Sequence, residues 1–111
     1  MGLFGKKNTE SKLKVSVNKD GDTYIVLVDG RLDTLTSPQL DAELNKIIGN
    51  AKKLVLDLGK LAYISSAGLR ALLSLKKNLS GSGKELEVHN LNPVCQEVFK
   101  VTGFNNILTI K

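Results

Sequence analysis

The chain has 111 residues, 41% hydrophobic and 24% charged, enough for one globular domain with a single core. Its one cysteine, Cys95, excludes an intramolecular disulfide and a cysteine-based metal cluster, and this usage fits a reducing cytoplasm. The net charge of +5 comes from dispersed lysines and the chain has no tryptophan, so the charge reads as a solvated surface, able to steer an acidic protein partner, rather than as a direct nucleic-acid interface.

No apolar run reaches the roughly 18 residues of a membrane span, so no stable membrane insertion is expected. The opening MGLFGKKNTESK has no apolar stretch of secretory type, and Lys6 stands where the myristoylation pattern requires Ser or Thr. Residues 1–11 are expected to form a flexible tail, with weak membrane or partner contact through Leu3 and Phe4 as the alternative, and residues 12–111 to form the folded domain.

Leu13, Val15 and Val17 alternate with polar residues, the pattern of a half-buried strand. Asp20-Gly21-Asp22 is turn chemistry, and the apolar run Tyr24 to Val28 is a more central strand, antiparallel to the first. Gly30-Arg31-Leu32-Asp33 closes it. Thr36-Ser37-Pro38-Gln39 then opens a helix with either Thr36 or Ser37 as cap, an apolar stripe of Leu40, Leu44, Ile47 and Ile48, and Gly49 as stop.

Leu54 to Leu58 reads as a buried strand, and Leu69, Leu72, Leu73 and Leu79 recur at helical spacing. Between them Tyr63-Ile64-Ser65-Ser66-Ala67-Gly68 marks a tight connection, with Ser66 expected as the N-cap. The free amides and dipole of a helix start also stabilise an anion, so a phosphate esterified to Ser66 would meet a partly prepared site. Serine ahead of a helix is also an ordinary cap with no regulatory role. Ser80-Gly81-Ser82-Gly83 ends this helix, Leu86 and Val88 lie in another strand, and Asn92-Pro93 starts a helix carrying Val94, Val98 and Val101 on one face and stopping at Gly103. Cys95 falls in its first turn, where a dipole can lower a thiol pKa, although a lone thiol is more often packing. His89, the single histidine, reads as structural or surface. Ile107, Leu108 and Ile110 suggest a last short strand. The alternation gives an α/β domain: a mostly parallel sheet of about four to five strands, an antiparallel edge strand and three main helices stacked by right-handed crossovers.

The string DLGKLAYISSAGLRALL closely resembles the signature of the STAS domain, the fold of bacterial anti-sigma factor antagonists. Aligning on Gly68-Leu69 places the family's phosphoacceptor at Ser66, with Ser65 as second choice. The best-known members carry Asp-Ser-Ser-Gly-Leu, so Ser65 replaces the Asp and Ala67 the second Ser. GRLDTLTSPQL, residues 30–40, also matches the family's Gly-x-Leu-Asp followed by Thr or Ser and a helix, in a loop that lies beside the phosphoacceptor loop. A Val-Phe pair in the last helix, then Gly-Phe and a closing apolar run, extends the resemblance over roughly residues 12–111.

The resemblance implies a switch. The unphosphorylated domain binds an anti-sigma factor that is itself a serine kinase, freeing a sigma factor; the kinase phosphorylates Ser66 and a PP2C-type phosphatase restores the binding form. The implied partner surface holds Asp33, Thr34, Ser65, Ser66, Ala67, Gly68 and Arg70. Asp33 is a partner contact, an acceptor ordering the Ser66 loop, or a turn residue bonding nearby amides. The alternative is a non-catalytic STAS subunit of a larger assembly, such as a lipid transporter or sensory complex, acting without phosphorylation; a nucleotide-binding or small-molecule role for the fold is a further possibility. Gly-x-Ser-x-Gly, a Walker loop, paired acid and base residues and a metal-ligand set are missing from the sequence, so neither catalysis nor a cofactor is expected.

Overall fold

The computed structural model describes residues 13–111; the expected tail, residues 1–11, lies outside them. Two antiparallel strands, β1 (Leu13–Asp20) and β2 (Thr23–Leu32), lead into α1 (Ser37–Asn45) and β3 (Lys53–Asp57). A short strand β4 (Leu61–Ile64) precedes α2 (Ser66–Gly81), and β5 (Glu85–His89), α3 (Pro93–Thr102) and β6 (Thr109–Ile110) complete the chain. The sheet has six strands in the order β1-β2-β3-β5-β6, with β4 paired to β2. All pairings except β1 with β2 are parallel.

The α/β class, the antiparallel edge and the three helices are as the sequence predicts, and the sheet is wider by the short strands. β4 escaped the sequence reading because four residues are too few to show a period and they run straight into the serine turn. The α1 stripe also ends sooner than expected. The helix closes at Asn45, and Ile47 and Ile48 pack against the core from the turns that follow.

From β2 onward each crossover steps the same way across the sheet. Right-handed connections therefore place all three helices on one face. Burial follows: Tyr24, Val26, Val28, Leu54, Leu56, Leu86 and Val88 point under the helices and are buried, while Ile25 and Leu27 on the opposite face are only half-buried. Asn92 pins the start of α3, its Oδ1 accepting the Cys95 N–H at 3.0 Å while its Nδ2 donates to Leu61 O at 2.7 Å. Cys95 itself is fully buried, and burial pushes its thiol pKa up. The helix-start effect does not prevail there, and the residue is packing.

On the uncovered face Glu87 is only 7% exposed because Lys53, His89 and Lys111 close over it. Lys53 Nζ lies 2.9 Å from Oε2, His89 Nε2 lies 2.8 Å from Oε1, and Lys111 Nζ approaches Oε2 at 3.7 Å. The hydrogen bonds from Lys53 and then His89 lower the Glu87 pKa from 4.5 to about 2, outweighing the burial that raises it. A carboxyl depressed on folding stabilises the fold fully above its unfolded value, and that contribution fades as pH falls from about 4.5 towards about 2. Urea unfolding at stepped acidic pH should show a loss of stability across that window that Glu87→Gln flattens; parallel pH profiles for the two proteins would contradict it.

Candidate functional site

The site lies at the carboxyl ends of β2 and β4. Gly30, at φ 114, takes a conformation that favours glycine, and the ladder shifts register between Gly30 and Arg31. The ladder with β3 ends at Leu27, opposite Asp57; the shift lies within the ladder with β4, where Gly30 faces Leu61, Arg31 faces Tyr63 and Leu32 faces Ile64. Asp33 and Ser65 are therefore the first residues beyond two neighbouring strand ends. Ser65 N–H donates to Leu32 O at 2.9 Å, tying the second loop to the first through backbone.

Ser65, not Ser66, is the N-cap of α2. Its backbone is extended, with ψ 177, and its Oγ accepts the Gly68 N–H at 3.2 Å. Ser66 is the first helical residue, and its side chain is exposed. The amides of Ser66 and Ala67 belong to the first turn, whose N–H groups have no carbonyl within the helix. Arg70 is exposed one turn further on, on the same stripe of the helix as Ser66. Ala67 is half-buried. Gly68 is buried, and its place explains why it is glycine: an added Cβ would lie 2.7 Å from Leu32 O and 2.8 Å from Ile64 Cγ1.

In the first loop, Asp33 Oδ1 accepts the N–H groups of Leu35 at 3.0 Å and Thr36 at 3.1 Å. Arg31 Nε lies 3.8 Å from Oδ2. Burial raises the Asp33 pKa, but the hydrogen bonds from Thr36 and Leu35, with the Arg31 charge, outweigh it and hold the carboxyl below its ordinary value. These bonds stay within its own loop, so Asp33 acts as a turn residue, and the backbone of Leu32 links the two loops. Thr34 is exposed at the loop's outer side.

Three neighbours went unnoticed in the sequence. The Arg31 guanidinium stacks 4.3 Å from the centre of the Tyr63 ring, and Leu35 is almost wholly exposed. The first two become visible only once β2 and β4 are paired in register. The arrangement offers an exposed hydroxyl at a helix start, Arg70 one turn along the same helix and a braced loop at the neighbouring strand end, which suits recognition by another protein. Among the described residues no three His, Cys, Asp or Glu side chains gather as metal ligands, and no helix is long and apolar enough to cross a membrane.

A family model described as "Mlab, STAS domain" matches residues 15–109. A protein of Bordetella bronchiseptica that bears the name of an anti-sigma factor antagonist, BtrV, is 36% identical over 99 residues, covering 88% of this chain and 85% of its own. An anti-sigma factor antagonist from Mycobacterium paratuberculosis superposes with a TM-score of 0.79 at 21% identity, over 88% of this chain and 84% of that one. The Bacillus cell fate determinant SpoIIAA in its phosphorylated form superposes with a TM-score of 0.69 at 18% identity, over 88% and 91% of the two chains.

Gly68→Ala sets a helix-propensity gain of about 1 kcal/mol against overpacking of about 1–3 kcal/mol. Because the nearest atom is a backbone oxygen, strain should win and thermal unfolding should show a lower Tm; an equal or higher Tm would contradict the close approach.

Proposed function

Since the chain belongs to the STAS domain family, we propose that it acts as an anti-sigma factor antagonist whose partner binding is switched by phosphorylation of Ser66. The observation that carries this reading is the division of labour between the two serines. Ser65 Oγ is occupied as the helix cap, whereas Ser66 presents an exposed hydroxyl on the first residue of α2, next to the Asp33 loop.

In this reading the unmodified face, with Asp33, Thr34, Ser65, Ser66, Ala67, Gly68 and Arg70, docks in the cytoplasm on an anti-sigma factor that is also a serine kinase. Its sequestration releases a sigma factor. Phosphate on Ser66 brings about 1.5–2 negative charges to the helix start. The first-turn amides and Arg70, one turn along, stabilise that charge within the domain. Against a partner surface matched to a neutral hydroxyl, however, like-charge juxtaposition costs several kcal/mol. The complex dissociates, and a PP2C-type phosphatase returns the binding form. The domain contributes recognition and an acceptor hydroxyl, while the phosphoryl chemistry belongs to the kinase and the phosphatase.

Incubation of the protein with source-cell extract and magnesium-ATP, followed by tandem mass spectrometry, should place phosphate on Ser66 and none on Ser66→Ala. Ser66→Ala should retain the anti-sigma factor and Ser66→Asp should bind it more weakly. Phosphate on Ser65 would move the acceptor by one residue. No phosphate beside an active kinase control, or equal binding by both variants, would overturn the switch in favour of a subunit that binds constitutively.

A further inference from the structure

The two parallel ladders of β2 leave a gap between them. β2 pairs with β3 as far as Leu27 and with β4 from Gly30 onward, so Val28 and Asp29 have no parallel partner on that side. A cleft of about 110 Å³ opens there, lined by Lys14 and Ser16 of β1, Leu27 and Asp29 of β2, Asp57 at the end of β3, and Lys60 of the connection to β4. Register sets its floor: Ser16, Leu27 and Asp57 stand in one row across three strands, and Lys14 stands opposite Asp29 in the next row of that face. Asp57 is held in place. Its Oδ1 accepts the Gly59 N–H at 3.0 Å and its Oδ2 accepts a hydrogen bond from Asn90 Nδ2 at 2.7 Å, and each oxygen keeps capacity for a further donor. The side chains of Lys14, Asp29 and Lys60 have neither a hydrogen bond nor an ion pair among the described residues.

A single unpaired surface charge carries no meaning. Here two ammonium groups and two carboxylates line one small cleft around the apolar Leu27. A simple anion in it meets Asp29 and Asp57, and a simple cation meets Lys14 and Lys60; a molecule bearing both charges complements all four. Volume limits its size, because a cavity of about 150 Å³ takes a benzene ring, so this one suits about five or six non-hydrogen atoms. Its place is also one that α/β sheets use for ligands, at the carboxyl ends of parallel strands. We infer that the cleft binds a small zwitterion, a free α-amino acid with a short side chain, its ammonium group towards Asp57 and Asp29, its carboxylate towards Lys60 and Lys14, and its apolar carbons on Leu27. The cleft shares no residue with the serine loop, so the inference stands apart from the reading of Ser66.

The probe is unlabelled L-alanine, with glycine and L-serine in parallel, titrated into the isotope-labelled full chain and read by amide chemical shifts. L-Alanine should give saturable shifts concentrated at Ser16, Leu27, Asp29, Asp57 and Lys60. Asp29→Asn and Lys60→Gln should each weaken the apparent affinity about tenfold, the loss expected of one charge-assisted hydrogen bond, with the urea unfolding midpoint unchanged. Acetate and methylamine, each carrying one charge, should not saturate over the same concentrations. Shifts that rise linearly with all three amino acids, or that spread over the whole surface, would overturn the inference. Wild-type affinity in both variants, or saturation by acetate or methylamine alone, would overturn it as well.

Discussion

The first turn of α2 rests on the backbone of β2: where Gly68 carries only hydrogen, a Cβ would stand 2.7 Å from Leu32 O. That approach, with the Ser65 amide bonded to the same carbonyl at 2.9 Å, fixes the start of the helix to the strand from which the Asp33 loop departs. Gly30 supplies the other half of the constraint. Its φ of 114 and the register shift beside it set the ladder with β4 so that Leu32 lies opposite Ile64.

Around that junction, stability and function are kept apart. The helices cover one face of the sheet, where Leu56 of β3 and Val88 of β5 are fully buried together with Phe99 of α3. Glu87, Lys53, His89 and Lys111 form a charge cluster on the other face, remote in role from the serine loop. The candidate site stands at the carboxyl ends of the parallel strands, where loops of an α/β sheet are free to vary. The modification proposed for Ser66 therefore adds charge at an exposed rim and leaves the core untouched.

The fold was legible where period and punctuation are strong. Val15 alternating with its neighbours, the run Tyr24–Val28, Pro38 and Pro93 at helix starts and Gly103 at a helix end each carry a local physical cause, and Gly103 does take the left-handed conformation, at φ 81. The adjacency of GRLD to the serines was legible only through family resemblance. No local signal reveals a parallel pairing between residues about thirty positions apart. For the same reason the Arg31–Tyr63 stack, the exposure of Leu35 and the cage around Glu87 lay hidden: each joins residues whose meeting depends on register or on which side of a turn faces water. The cap moved from Ser66 to Ser65 because both are good capping residues, and the backbone decides which one stays extended.

The central claim is that the paired ends of β2 and β4, with the start of α2, form the surface that meets the partner. Amide chemical-shift mapping of the isotope-labelled protein against the unlabelled Ser66 kinase tests it most directly. Perturbations should concentrate in residues 31–36 and 63–70. Perturbations centred instead on the exposed Val94 and Val101 of α3, or on the uncovered face around Ile25 and Leu27, would contradict it.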